Sequence, residues 1–134
     1  AFSSLQVWRV RKEASLVVTN EINRPIGRML TSIEIIRGVY PDASVQFVSV
    51  LLFIGTNEGC NQKDIMQKLG MTDGSVSRNV AMLSDVKYRG KVGLGFVRQD
   101  IDPEERRRRI LTLTPKGKAF FYKLGRVLSC EHEK

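Results

Sequence analysis

Histidine occurs once and cysteine twice in this sequence, and that scarcity narrows the chemistry before any motif is read. The single imidazole, His132, stands in the last few residues. Neither a Ser/His nor a Cys/His nucleophilic arrangement can be built around it, and no glycine-rich phosphate loop follows a strand-like segment. No enzymatic activity and no cofactor are therefore expected. Cys60 and Cys130 lack CxxC spacing, which argues against a metal cluster or a disulfide framework and leaves free thiols as the expectation. Long apolar runs are missing too. The strongest, Val45 to Ile54, has the length of a core helix, well short of the roughly 18 residues a membrane span needs. The opening segment AFSSLQVWRVRKEAS has no apolar block of the secretory kind, so an intracellular, cytoplasmic protein without a membrane partner is expected.

Acidic residues are the other shortage. Against 22 Lys+Arg there are 14 Asp+Glu, a net charge of +8, and the pI near 9.9 favours a polyanionic partner. The 134 residues, 42% hydrophobic and 27% charged, suffice for one domain with a core that needs no disulfides. Much of the charge is gathered in Arg106, Arg107, Arg108 and Arg109, directly before the alternation Ile110-Leu111-Thr112-Leu113-Thr114. Four like charges repel, so a compact fold gains nothing from the cluster unless a counter-charge arrives from outside. Asp100, Asp102, Glu104 and Glu105 crowd the same segment, where salt bridging explains them better than acid/base catalysis. Trp8, Phe47, Phe53, Phe96 and Phe120 do not interleave with basic residues, so they read as core and not as a stacking platform for single strands, which also counts against sequence-specific RNA binding.

Periodicity divides the chain. Residues 1–20 are expected to form a basic arm or a short helix. A helix is expected from Arg24-Pro25, with Ile26, Leu30, Ile33 and Ile36 at helical spacing, ending near Gly38 to Pro41. A second is expected from about Ser44 to Ile54, with Asp42 or Ser44 as its cap and Gly55 to Gly59 as its loop; apolar on nearly every side, it should be the central core helix. In CNQKDIMQKLGMTDGSVSRNVAML, Asn61 is an N-cap, Ile65, Met66 and Leu69 share a face, and Gly70 stands where a helix ends in a left-handed residue. Thr72 caps the next helix, whose Val76, Val80 and Leu83 form one stripe. Gly74, Ser75, Ser77, Arg78 and Met82 lie off it. Two short helices joined by a tight glycine turn are a helix-turn-helix signature. The exposed positions of the second are small or hydrogen-bonding, which lets a backbone approach base edges.

Beyond SDVKYRGKVGLG, two strands are expected at Gly95 to Arg98 and Arg109 to Thr114, the latter burying Leu111 and Leu113, with QDIDPEERRRR as the hairpin tip. Thr114 and Pro115 should start a last helix, whose buried side is Ala119, Phe120, Tyr122 to Leu124 and Val127-Leu128; residues 129–134 form a frayed tail. The fold class expected is mainly α with a small β-hairpin (α+β).

That order of elements is the order of a winged helix-turn-helix domain, here residues 21–128 with the flanking helices, and residues 44 to 117 resemble the MarR family of bacterial transcriptional regulators. The family's recognition pattern Thr-Val-Ser-Arg-x-Val-x-x-Leu is echoed by Ser75-Val76-Ser77-Arg78-Asn79-Val80-Ala81-Met82-Leu83. Its wing pattern, an arginine, Asp-x-Arg and then Leu-Thr-x-x-Gly, is matched by Arg98, by Glu105-Arg106-Arg107 and by Leu113-Thr114-Pro115-Lys116-Gly117. The resemblance implies a sequence-specific double-stranded DNA-binding regulator, dimeric, and nucleoid-associated when bound to DNA. By position, Arg107 would enter the minor groove, with Glu105, in place of the usual Asp, steadying the wing and Arg106 and Arg108 on phosphates. Ser75, Ser77 and Arg78 would lie nearest the bases, joined by Thr72, Gly74 and Arg98, while Gln62 and Lys63 would meet phosphates. Between Leu83 and Gly95 the chain is longer than the family's compact link and adds Lys87, Arg89 and Lys91, as an extra loop beside the DNA or a linker. The last helix is short for the family's dimer. Two other readings share the scaffold: a module docking on RNA polymerase or another regulator, and a phage or plasmid replication initiator.

Overall fold

The computed structural model describes residues 23–85, 87–88 and 90–129. The expected basic arm, residues 1–20, and residues 130–134 of the expected tail, Cys130 among them, lie outside them. Helix α1 covers residues 23–39, followed by α2 (Val45–Thr56), α3 (Gln62–Leu69) and α4 (Asp73–Leu83). Two short strands, β1 (Lys87–Tyr88) and β2 (Lys91–Val92), precede a longer pair, β3 (Val97–Ile101) and β4 (Arg109–Leu113), and α5 (Pro115–Leu128) closes the described chain.

Local chemistry sets each boundary. Ser44 Oγ accepts from the Phe47 amide at the start of α2. At α3 the Asn61 side chain accepts from the Asp64 amide while Asp64 accepts from the Asn61 amide, a reciprocal capping box that satisfies two otherwise orphaned donors. Gly70 ends α3 at φ 63°, a conformation that costs a residue with a Cβ about 1–2 kcal/mol. Thr72 and Thr114 cap α4 and α5 in the same way as Ser44 caps α2.

The core is built where α2, α3, α4 and the long hairpin meet. Val50, Ile54, Ile65, Val76, Val80, Leu83 and Leu111 are fully enclosed, and Phe47, Leu51, Phe96, Val97 and Leu113 complete the cluster. Each such aliphatic side chain contributes about 1.5–3 kcal/mol by leaving water. β3 and β4 pair antiparallel from Val97↔Leu113 to Ile101↔Arg109. The outer edge of β4 is also occupied: the Leu111 amide donates to the Cys60 carbonyl (2.8 Å), Gly59 N–H to the Leu111 carbonyl (2.9 Å), and the Leu113 amide to Glu58 Oε1 (2.8 Å). A carboxylate thus stands where a third strand's carbonyl would.

Several sequence expectations are corrected. Gly55 and Thr56 belong to α2, not to its loop; a Cβ on Gly55 would run into the Phe121 ring, so glycine here makes room for α5. The first long strand starts at Val97, because Gly95 takes φ 73°, and it continues through Ile101, so the hairpin tip shrinks to residues 102–108. The longer link after α4 is neither a plain loop nor a linker but a small hairpin with Lys87↔Val92 and Tyr88↔Lys91 in register. Only one face of α2 is covered: Val45 and Leu52 remain exposed. On α1, Ile36 is buried but Ile26 and Leu30 are 60% exposed, and on α5 the enclosed residues are Gly117 and Leu124, whereas Ala119, Tyr122 and Leu128 face outward. Helical spacing identified these stripes but could not say that the described chain leaves them without a neighbour.

Candidate nucleic-acid interface

Helix α4 is tethered to the core by Val76, Val80 and Leu83. Successive residues turn by about 100°, so Gly74 and Arg78 come to the centre of the opposite, exposed face. They lie four residues apart, and a Cβ on Gly74 would sit 3.3 Å from Arg78 Nη1. Ser75 and Ser77 take the two flanks. Each bonds to a neighbouring helix: Ser75 Oγ donates to Gln46 Oε1 on α2 and Ser77 Oγ to Gln62 Oε1 on α3, both at 3.0 Å. Thr72 is committed to its cap, accepting the Ser75 amide at 3.2 Å. Met82, expected off the core stripe, packs partly buried against the core.

The wing extends from the same body. Its tip is closed by Asp102, whose Oδ1 accepts the Glu104 amide (2.9 Å), and by two backbone bonds, Asp102 N–H to the Arg108 carbonyl (3.0 Å) and Arg108 N–H to the Glu105 carbonyl (2.9 Å). The brace expected of the Glu105 carboxylate is therefore supplied by Asp102; among the described residues the Glu105 side chain has no hydrogen bond or ion pair, and only its carbonyl is used. Among the described residues the expected salt bridging of the wing reduces to a single exposed contact, Arg98 to Asp100 at 3.3 Å. Arg106, Arg107, Arg108 and Arg109 are all exposed and form no ion pair with described residues. Their charge is left uncompensated within the described chain.

Tertiary structure then joins the two basic elements. A groove of about 460 Å³ runs between the start of α3 and the wing, with Asn61, Gln62 and Lys63 on one side and Glu105, Arg107, Arg108 and Arg109 on the other. The base of the wing is fixed by Thr114: its amide donates to the Phe96 carbonyl (2.9 Å), its hydroxyl donates to the Gly95 carbonyl (2.6 Å) and accepts from the Gly117 amide (3.0 Å). Phe96 stacks on Phe120 with ring centroids 4.7 Å apart, and Lys116 Nζ lies 5.6 Å from the Phe96 centroid. Sequence reasoning missed Gln46, Glu58 and Asp102; the first is a polar residue set in the apolar run VQFVSVLLFI and could have been singled out, while the other two were visible only as loop acids.

The remaining chemistry is sparse. Cys60 is buried, and loss of solvation together with the nearby Asp64 carboxylate pushes its thiol up to about 11, although a backbone hydrogen bond acts the other way. The described residues hold no group of three or more His, Cys, Asp or Glu side chains suited to a metal ion, and no described helix is long and apolar enough to cross a membrane.

Three helices, α2 to α4, the last two joined by a glycine turn, and a basic antiparallel hairpin packed on the same core define a winged helix-turn-helix domain. Within that class the architecture is the one seen in MarR-type regulators. The chain is similar to the crystal structure of MarR (24% identity, 86% of this chain and 73% of that chain covered, TM-score 0.52). It is also similar to FabT of Streptococcus pneumoniae in complex with DNA (18% identity, 89% and 74% covered, TM-score 0.57). A third neighbour is the transcriptional repressor CouR bound to a 23-mer DNA duplex (24% identity, 91% and 79% covered, TM-score 0.56). No family model and no curated protein sequence matches the chain.

Proposed function

We propose that this protein is a sequence-specific double-stranded DNA-binding transcriptional regulator, with α4 in the major groove and the arginine wing in the adjacent minor groove. The observation that carries the reading is a pair of exposed surfaces: the Gly74/Arg78 face of a helix whose opposite side is buried in the core, and Arg106 to Arg109, which form no ion pair with described residues and stand across a groove from Lys63 at the start of α3. Arg78 reads base edges. Lys63 and Gln62 meet phosphate beside the wing, Arg107 enters the minor groove, and Arg106 and Arg108 hold the flanking phosphates. Arg98 leaves its exposed contact with Asp100, which contributes at most about 1 kcal/mol, when a phosphate is offered. Two of the solved structures with this fold are themselves DNA complexes, which supports the reading, and the named neighbours give none to a polymerase-docking module or a replication initiator.

The protein acts as a homodimer on a two-fold symmetric site. In support, Ile26, Met29, Leu30, Val45, Leu52, Tyr122 and Leu128 leave apolar surface exposed on α1, α2 and α5. It works in the cytoplasm, on the nucleoid when bound. Selection of bound sequences from a random duplex pool at several salt concentrations tests this. A two-fold symmetric motif whose affinity falls steeply with salt is expected; binding without any enriched sequence would refute it.

A further inference from the structure

The hydrogen bonds at the flanks of α4 determine what its serines can offer to a ligand. A hydroxyl has one hydrogen to give and two lone pairs. Ser75 spends its hydrogen on Gln46 Oε1, so toward an incoming base it is an acceptor only. The amide of Gln46 keeps both N–H donors, for which the described residues supply no acceptor. Gln46 is exposed and stands at the start of α2, next to the first turn of α4. One edge of the recognition surface therefore shows an acceptor at Ser75 beside a donor at Gln46. Ser77 with Gln62 repeats the device on the other flank.

Resting on the DNA-binding reading above, we propose that Gln46 is a specificity-determining residue, which holds Ser75 in its acceptor state and reads the neighbouring base together with it. The complement of an acceptor beside a donor is a base edge with an amino hydrogen beside a lone pair. Adenine presents that pair in the major groove, N6 as donor and N7 as acceptor. Without Gln46, the Ser75 hydroxyl regains its rotation and serves as donor or acceptor alike, so the preference for adenine fades while overall charge and phosphate contacts stay unchanged. A merely structural role predicts something else. An exposed Ser–Gln bond contributes little to stability, and its loss would move the melting temperature, not the base read at one position.

The experiment compares the parent, Gln46→Leu, Ser75→Ala and the double variant by selection from a random duplex pool, followed by competition with the selected site carrying single base changes. The parent is expected to require adenine at one position of each half-site. Q46L and S75A should each lower that preference by about tenfold at the same position, the double variant should add little further, and the salt dependence should not change. Should Q46L enrich the parent's motif unaltered, or S75A keep the adenine preference, the inference is overturned while the DNA-binding reading stands. Failure of the parent to enrich any motif would instead overturn that reading and this inference with it.

Discussion

Gly117→Ala and Gly125→Ala make the same chemical change on one helix and are expected to act in opposite directions. Both glycines lie within α5, where replacing Gly by Ala ordinarily stabilises by about 0.5–1 kcal/mol through the lower entropy of the unfolded chain. At Gly125 a new Cβ meets nothing within 4 Å, so that gain should appear as a slightly higher melting temperature. At Gly117 the Cβ would lie 2.1 Å from the Phe96 carbonyl oxygen and 2.9 Å from its carbon, both backbone atoms that cannot rotate away. Ordinary contact begins at 3.4 Å, so α5 and the start of β3 must separate by more than an ångström. That displacement pulls on the Thr114 amide to Phe96 carbonyl bond (2.9 Å) and the Thr114 hydroxyl to Gly95 carbonyl bond (2.6 Å). Each hydrogen bond contributes about 0.5–1.5 kcal/mol, and overpacking of a tight contact costs about 1–3 kcal/mol. After the propensity gain is subtracted, G117A should lose about 1–3 kcal/mol, a fall of about 3–10 °C in Tm. Thermal melts of DNA-free protein at one fixed concentration measure both variants. A G117A variant as stable as the parent would refute the reasoning that close backbone approach, and not turn geometry, demands glycine at the end of Leu113-Thr114-Pro115-Lys116-Gly117.

Three further outcomes are expected. Glu58→Ala leaves the Leu113 amide without its carboxylate acceptor, and urea unfolding should show a loss of about 1–2 kcal/mol. Arg107→Ala should weaken binding about evenly across sequences and lower its salt dependence, whereas Arg78→Ala should relax sequence preference, with roughly tenfold less discrimination at one position; titrations against matched and altered duplexes separate the two. For Cys60, the folded thiol is held neutral up to about 11 while the unfolded thiol ionises near 9.0. Between these values the unfolded chain has already lost the proton that the folded chain keeps. The thiol's contribution is therefore fully present below pH 9 and is lost as pH rises toward 11. Cys60→Ala should decline less steeply over that window in melting temperature, and the parent thiol should react slowly with thiol reagents near pH 8.

How far the sequence can be read depends on the range of the forces involved. The caps at Ser44, Asn61, Thr72 and Thr114 and the left-handed Gly70 act over one helical turn, so the helix starts and the glycine turn are legible from neighbouring residues alone. The stripe Val76, Val80, Leu83 and the alternation of Leu111 and Leu113 are equally local, and all five are enclosed in the fold. Other features were misread because their partners lie far along the chain. Gly55 looked like the start of a loop, since the Phe121 ring that it admits is distant in sequence. Glu58 looked like a loop acid, yet it serves as a strand partner for Leu113. Among the described residues the salt bridging expected inside the wing is limited to Arg98 and Asp100, and Asp102 instead accepts the Glu104 amide at the tip.

The sequence by itself determined the order of the helices and of the long hairpin, the buried stripes of α4 and β4 and the excess of positive charge, because these follow from periodicity, capping and composition. Only the tertiary structure decided which polar groups meet. It set Ser75 against Gln46, Ser77 against Gln62, Lys63 across a groove from Arg107 to Arg109, and the carbonyl of Phe96 against Gly117. Such pairings depend on the packing of helices and strands that are separate in the chain, and no local pattern encodes the distance at which two surfaces come to rest.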